Sequence, residues 1–359
     1  MSSICSNNQR GGYPPSIKGR DAMKRLILII LIILLIPSFA GCGKNDIKET
    51  TSFSSEAETS EATENQESTS ETESESQSES APAPEPMDKI KRTTKAIYGK
   101  DTGSDKTFTG LEPLPTVNLP VVDPDNLKCL STTPHNHSFG VSKNGIPHEI
   151  SVNNQKFYEK YGAICLDTKG EKVIYLTFDC GYENGCTEKI LDTLKSKKVP
   201  AAFFVTLPNV KDNPQIIARM INEGHIVGNH SDTHPNFSTI NRTQMAKEIE
   251  TLDNYLREHF GYSSPFFRFP EGACSENALE LVQSIGYTSV FWSSAYADWD
   301  INNPKGKQYA FDTVTARLHP GCILLLHAVS KDNADALGDI IDYAREQGYE
   351  FKSLEQVGS

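Results

Sequence analysis

The sequence predicts an α/β fold in which parallel strands form a closed or nearly closed barrel. From residue 173 onward, short apolar segments alternate with longer segments whose apolar residues recur at helical spacing. Seven short segments of this kind are present, a number that suits a barrel. Alternating strands and helices favour right-handed crossovers between parallel strands, and an open doubly wound sheet is the alternative architecture.

Each predicted strand is a short apolar run, and the predicted helices occupy the intervals between runs. The strands are predicted at residues 173–178, 201–205, 225–228, 266–269, 288–292, 322–326 and 349–351. The helices are predicted at residues 187–197, 214–222, 242–260, 276–285, 311–318 and 334–347. The first helix shows its spacing in Ile190, Leu191 and Leu194, and Asn241 with Gln244 forms a capping pair before the third.

The N-terminal part of the chain lacks this rhythm. Residues 42–86 are predicted as a disordered Ser/Glu/Thr/Pro-rich linker, because residues 44–86 hold twelve acidic and two basic residues and almost nothing to bury. This tract accounts for most of the net charge of −12 over 359 residues. No part of the chain has the basic excess of a nucleic-acid-binding surface, so we expect no nucleic-acid partner.

Residues 87–172 are predicted as an irregular segment that wraps the barrel without a core of its own. Six proline residues and few periodic stretches support this interpretation. His135, His137 and His148 are interpreted as surface histidines, because no Cys or carboxylate stands beside them at a metal-ligand spacing.

The extreme N-terminus has the pattern of an export signal. An unbroken apolar run of eleven residues at 26–36 follows Lys24 and Arg25, and it is too short for the roughly 20 residues that span a bilayer. Residues 23–41 are therefore predicted as a signal peptide, with a plain uncleaved anchor as the alternative. Met23 is an alternative start, in which case residues 1–22 are a misannotated extension.

The end of this signal, Phe39-Ala40-Gly41-Cys42, resembles the lipobox of bacterial lipoproteins, although the family usually has Leu where Phe39 stands. The resemblance implies lipidation of Cys42 and an anchor on the outer face of the cell membrane. A linker of this length spans roughly 35–40 Å when flexible, which would let an anchored domain reach into a cell wall.

Six polar residues lie at or near the carboxyl ends of predicted strands, at positions where packing of a hydrophobic core does not require a polar side chain. They are Asp179, His230, His234, Arg268, Asp298 and His327. Active sites of parallel barrels are built at this rim. The sequence therefore predicts that these residues form an active site.

The residue types indicate hydrolysis of an acyl bond. His230 and His234 are four residues apart and are candidate ligands for one divalent metal, with open positions left for water. Asp179 is the candidate general base, and Arg268 its ion-pair partner. His327 is the candidate general acid, oriented by Asp298.

These residues fall in motifs that resemble the polysaccharide deacetylases, the enzymes with a NodB-homology domain that form carbohydrate esterase family 4. The five ordered motifs are Thr177-Phe178-Asp179-Cys180-Gly181, His230-Ser231-Asp232-Thr233-His234, Arg268-Phe269-Pro270-Glu271-Gly272, Asp298-Trp299 and Leu325-Leu326-His327. The similarity extends over about residues 135–357 and is closest to the delta-lactam-forming muramic-acid deacetylase branch.

The resemblance implies a distorted (β/α)7 barrel for residues 173–359 and assigns the same roles to the six rim residues. It also places the backbone N–H of Glu271 in the oxyanion hole, where the broader family usually has Tyr. It implies a divalent metal cofactor, which the donor types suggest is zinc.

One position departs from the family pattern. Most members have a second aspartate, a metal ligand, where this chain has Cys180. Two hypotheses follow: Cys180 completes a His-His-Cys zinc site, or it fills the position without contacting metal. A disulfide between Cys180 and Cys274 is a further alternative for this exported protein.

The sequence thus predicts a monomeric, lipid-anchored, metal-dependent hydrolase that removes N-acetyl groups from peptidoglycan amino sugars, with N-acetylmuramic acid as the favoured sugar. One alternative is a catalytically impaired lipoprotein that binds wall glycans through Tyr296 and Trp299. Another is a deacetylase of N-acetylglucosamine polymers or acetyl-xylan.

Overall fold

A computed structural model of the chain describes residues 109–359. The predicted signal peptide, Cys42 and the linker lie outside the described residues, as do residues 87–108 of the predicted wrapping segment. No helix of the described part combines the length and the apolar character needed to cross a bilayer.

The helices and strands alternate along the chain as predicted from residue 173 onward. The helices are α1 Glu149–Tyr158, α2 Thr187–Lys197, α3 Leu207–Asp212, α4 Pro214–Asn222, α5 Arg242–Phe260, α6 Glu276–Ser284, α7 Lys307–Thr315 and α8 Lys331–Glu346. The strands are β1 His135–Asn136, β2 Val173–Cys180, β3 Ala201–Val205, β4 Ile226–Asn229, β5 Phe266–Phe267, β6 Ala273–Cys274, β7 Thr288–Ser289, β8 Cys322–His327 and β9 Glu350–Phe351.

Seven of these strands form one parallel sheet. Its order is β7-β5-β4-β3-β2-β8, and β9 pairs with the start of β2. The sheet curls so that its two edges approach each other. The evidence is a parallel bridge between Ser294, five residues after β7, and Leu324 in β8. The Leu325 N–H donates to the Ser294 carbonyl at 2.9 Å across this junction. The predicted α/β barrel is confirmed in a distorted, half-barrel form, and the open doubly wound alternative is wrong.

Side chains of β2 alternate between two environments, as the pleat of a strand requires. Leu176, Phe178 and Cys180 pack in the large core between the sheet and its helices. Val173 and Tyr175 belong to a separate apolar cluster with residues of β3, β4 and β8. Alternation therefore turns Asp179 away from the helices, towards the barrel interior.

Several predicted boundaries shift in the structure. β2 and β8 run further than predicted and include Asp179 and His327, whereas the predicted strands at 266–269 and 288–292 shorten to two residues each. The predicted helix at 311–318 begins at Lys307 instead. α1 and α3 were not predicted: α1 is capped by the His148 side chain, an unusual cap, and α3 has only six residues.

The described part of the wrapping segment, residues 109–172, attaches to α5. The N–H of Leu119 donates to Glu250 at 2.7 Å, and Asn254 exchanges two hydrogen bonds with the backbone of Val117. Leu119, Tyr158 and other apolar residues of the segment join a core cluster shared with α5 and α6. This segment therefore completes the core of the barrel domain.

The interpretation of all three histidines of this segment as surface residues is wrong for His137. Its Nδ1 lies 2.9 Å from the Tyr158 hydroxyl and its Nε2 lies 2.7 Å from the Trp292 carbonyl. Its ring stacks on Phe291 at 4.9 Å. The adjoining strand β1 pairs with β6, and that long-range pairing carries His137 into the barrel wall.

The contact between the wrapping segment and β8 depends on Gly321. Its φ is +68°, and a Cβ there would lie 1.9 Å from the backbone oxygen of Asp167. We expect Gly321→Ala to lower the free energy of unfolding by about 2–5 kcal/mol, because left-handed strain of about 1–2 kcal/mol adds to a steric displacement of about 1–3 kcal/mol.

Urea unfolding measures this change, and Gly170→Ala is the matched control. Gly170 also has a positive φ, +77°, but nothing lies within 4 Å of its Cβ position. Equal losses in the two variants would contradict the proposed close approach.

Candidate active site

Asp179 and Arg268 form a buried ion pair inside the barrel. Arg268 Nη1 lies 2.7 Å from Asp179 Oδ1, and the Arg268 side chain is fully buried. Arg268 also donates to the Thr177 hydroxyl and to the Val290 carbonyl, each at 2.9 Å. Its guanidinium carbon lies 4.1 Å from the centroid of the Phe204 ring. These contacts fix the position of the guanidinium, which in turn fixes the position of the Asp179 carboxylate.

This environment keeps Asp179 ionised. Burial alone would raise the pKa of its carboxyl group, but the positive charge of Arg268, with a smaller contribution from His327, outweighs burial and lowers that pKa. A carboxylate at neutral pH is the form that a general base requires.

His230 and His234 lie beside this pair, on the turn that follows β4. The turn has left-handed φ angles at Ser231 (74°) and His234 (59°), which bring the two rings to a centroid distance of 4.9 Å. His230 Nδ1 lies 2.8 Å from the Arg268 carbonyl, so it carries the proton and donates. His230 Nε2 therefore presents its lone pair, 3.7 Å from Asp179 Oδ2.

This donor set fits a divalent metal. A metal-binding imidazole donates its other N–H to a protein acceptor, as His230 does, and burial lowers the pKa of His230 to about 4, which keeps its ring neutral. Within residues 109–359, no group of three or more His, Cys, Asp or Glu side chains is placed to hold a metal. His230 and His234 are therefore the ligand candidates, with further positions left to water or substrate.

The hypothesis that Cys180 completes this ligand set is not supported by the structure. The Cys180 side chain is buried in the core between sheet and helices, on the opposite side of β2 from Asp179. Burial raises the pKa of its thiol well above the ordinary value, which disfavours a thiolate. Cys180 and Cys274 are both free, buried thiols, so the predicted alternative of a disulfide between them is also wrong.

Asp298 and His327 form the second charged pair of the site. His327 Nδ1 lies 2.7 Å from Asp298 Oδ1, and the backbone N–H of His327 donates to Asp298 Oδ2 at 2.8 Å. Asn333 donates to the same Oδ2 at 2.6 Å and accepts from the Tyr296 hydroxyl at 2.5 Å. Both carboxylate oxygens of Asp298 accept hydrogen bonds, so they hold the His327 imidazole in one orientation, with its Nε2 pointing away from Asp298.

This arrangement favours the protonated form of His327. Burial alone would lower the pKa of the ring, but the hydrogen bond and the negative charge of Asp298 outweigh burial and raise that pKa above 6.5. A protonated imidazole near neutral pH is a suitable general acid.

Both pairs contribute to one cavity of about 980 Å³. Asp179, His230, His234 and His327 line it together with the aromatic residues Tyr182, Tyr296 and Trp299. Glu271 also lines the cavity, in a left-handed turn with φ 57°. The structure thus brings together all the predicted site residues that it describes, and the oxyanion role of the Glu271 N–H stays a prediction.

Two supporting residues of the site were not identified from the sequence as such. Thr177 accepts from Arg268, and Asn333 links Asp298 to Tyr296. Thr177 lies in the first motif and Asn333 lies six residues after His327, but each contact joins parts of the chain that are distant in sequence. No local pattern could have revealed either partner.

Comparison with known proteins identifies the family. The sequence pattern described as polysaccharide deacetylase matches residues 166–290. The peptidoglycan-N-acetylmuramic acid deacetylase PdaA of Bacillus subtilis is 46% identical over 225 residues, which cover 62% of this chain and 86% of that protein. The chain belongs to the polysaccharide deacetylase family. A peptidoglycan-N-acetylglucosamine deacetylase of Bacillus cereus is 32% identical over 204 residues, covering 55% of this chain and 72% of that protein.

Solved structures agree with the fold of this deacetylase. The structure of Bacillus subtilis PdaA, a family 4 carbohydrate esterase, matches with a TM-score of 0.62 at 45% identity, covering 64% of this chain and 98% of that chain. A family 4 carbohydrate esterase from Bacillus anthracis matches with a TM-score of 0.53 at 42% identity, covering 64% and 98% respectively. The predicted family and deacetylase activity are confirmed, and deacetylases of this family are in general metal-dependent.

The Asp298–His327 pair predicts a specific pH dependence. The raised pKa of His327 means that the acid form is present at low pH and is lost as pH rises through that pKa. Asp298→Asn removes the negative charge and should move the alkaline limb of the kcat/KM profile to lower pH. Asp300→Asn removes an exposed carboxylate two residues away and should leave the limb in place. An unchanged limb in Asp298→Asn would contradict the assigned coupling.

The position of Cys180 predicts that metal binding does not need its thiol. Cys180→Ala should retain the wild-type metal content after dialysis, measured by mass spectrometry of the acid-digested protein. His234→Ala, which removes one candidate ligand from the cavity, should lose most of its metal under the same conditions. Loss of metal from Cys180→Ala together with retention by His234→Ala would reverse the assignment.

Proposed function

We propose that this deacetylase removes the N-acetyl group from N-acetylmuramic acid residues of peptidoglycan, the step that leads to muramic delta-lactam. The observation that carries the proposal is the 46% identity to a relative named for this activity, of which the chain covers 86%. The two charged pairs at one cavity supply the chemistry that such a hydrolysis needs.

In the proposed reaction, Asp179 accepts a proton from water, and the water oxygen forms a bond to the acetamide carbonyl carbon. Arg268 keeps the base ionised and oriented, and the Glu271 N–H donates to the carbonyl oxygen as negative charge develops there. The C–N bond then breaks, and His327 gives its proton to the leaving nitrogen. The products are acetate and the free amine.

His230 and His234 would hold the metal, and we propose zinc because imidazole nitrogens and an open coordination site suit it. A bound divalent metal polarises the substrate carbonyl and lowers the pKa of bound water towards about 7. The Arg268 carbonyl fixes the tautomer of His230, so this ligand is oriented before any metal arrives.

A glucosamine-type substrate is the second candidate, favoured by the relative named peptidoglycan-N-acetylglucosamine deacetylase at 32% identity. The lower identity makes it the weaker proposal. The alternative of a catalytically impaired glycan-binding protein has less support, because the protein retains both the base pair and the acid pair, and binding alone requires neither.

We further propose that the protein acts outside the cytoplasm, held to the outer face of the membrane by lipid on Cys42. The support is the signal-like segment at 23–41 with its Cys42 end, together with a proposed substrate that lies outside the membrane. The acidic linker would then set the distance from the membrane at which the barrel works.

The substrate assignment predicts that incubation with glycan strands yields muropeptide fragments lighter by one acetyl group on muramic acid, detected by mass spectrometry. Asp179→Asn should reduce this activity by about 10²- to 10⁴-fold, the usual contribution of a general base. A chelator should abolish it in the wild type. Loss of acetyl groups from glucosamine residues alone would favour the second candidate.

A further inference from the structure

Arg317 brings a positive charge to the cavity that the proposed reaction does not use. The residue follows α7 and lines the same cavity as Asp179 and His327. Among the ion pairs formed between residues 109 and 359, none includes Arg317. Its charge therefore has no carboxylate partner within the described part of the chain.

A single hydrogen bond anchors the Arg317 side chain near the general acid. Its Nη1 donates to the Ala295 carbonyl at 2.5 Å. Asp298 lies three residues beyond Ala295, and Ser294, just before it, pairs with Leu324 of the strand that ends in His327. A guanidinium carries five N–H donors, so this anchor leaves others for a ligand.

Arg317 gives one side of the cavity a permanent positive charge. Arg268 compensates the charge of Asp179, whereas Asp232 and Glu271 also line the cavity, and Arg317 is the single Lys or Arg among the described residues that line it. A negatively charged substituent on the substrate is repelled by the Asp232 and Glu271 carboxylates and attracted by the guanidinium.

We propose that Arg317 binds the lactyl carboxylate of the muramic acid residue whose N-acetyl group is removed. This inference rests on the proposed function. Muramic acid differs from glucosamine by a lactyl ether on O3, next to the carbon that bears the acetamide, so its carboxylate enters the same cavity as the reacting amide. Guanidinium and carboxylate match in bidentate geometry.

A purely structural role for Arg317 is the competing explanation, because a cation near the end of a helix stabilises the helix dipole. Arg345 provides a matched control. It lies in the last turn of α8 and donates to the Lys197 carbonyl at 2.8 Å, but it does not line the cavity. Arg345→Gln therefore removes a comparable structural contact without touching substrate.

The test compares peptide-free glycan strands with the same strands after methyl esterification of the lactyl carboxyl group. For the wild type, kcat/KM should be about 10- to 100-fold higher on the acid than on the ester, the usual contribution of a charge-assisted hydrogen bond. Arg317→Gln should lose this factor, chiefly through a higher KM for the acid. Arg345→Gln should keep it, and Arg317→Lys should keep part of it.

Equal wild-type kcat/KM on acid and ester, or an unchanged preference in Arg317→Gln, would overturn the inference while leaving the proposed function intact. Acetate release from chitooligosaccharide but from neither muramic substrate would instead overturn the proposed function. If Arg317→Gln does not fold, Arg317→Lys decides: because an ammonium group cannot form the bidentate pair, its preference for the acid over the ester must fall below that of the wild type, and an unchanged preference would overturn the inference.

Discussion

The buried pair between Asp179 and Arg268 is the constraint on which the site depends. A buried charge is costly unless it is paired and hydrogen-bonded, and here the guanidinium contacts Asp179, Thr177 and the Val290 carbonyl. The Arg268 carbonyl in turn accepts from His230 and orients it. One residue thus fixes the ionisation of the base and the tautomer of a candidate metal ligand.

The curled sheet determines which groups can share this arrangement. Asp179 in β2 and His327 at the end of β8 are register partners on adjacent strands, so the base and the acid are neighbours. The bridge from Ser294 to Leu324 then brings the segment that carries Asp298 to the side of β8 opposite β2. Closure of the sheet therefore places Asp298 beside His327, the candidate general acid.

Much of the fold and most of the site followed from patterns that are local in sequence. α2, α4 and α5 have the predicted bounds because amphipathic spacing and the Asn241 capping box are local signals. Asp179, Arg268 and His327 stood out because each is a polar residue in or at the end of an apolar strand. The short strands β5 and β7 were predicted too long because pairing with neighbouring strands, and not the β-propensity of their own residues, sets where they end.

The sequence by itself determined the α/β class, the family and the identity of the residues that carry the chemistry, since periodicity and residue type are properties of the chain. Only the tertiary structure decided that Cys180 faces the helices, that Asn333 supports Asp298 and that Arg317 shares the cavity with Asp179. These outcomes depend on which side of a strand a side chain takes and on contacts between distant segments. Long-range packing sets both.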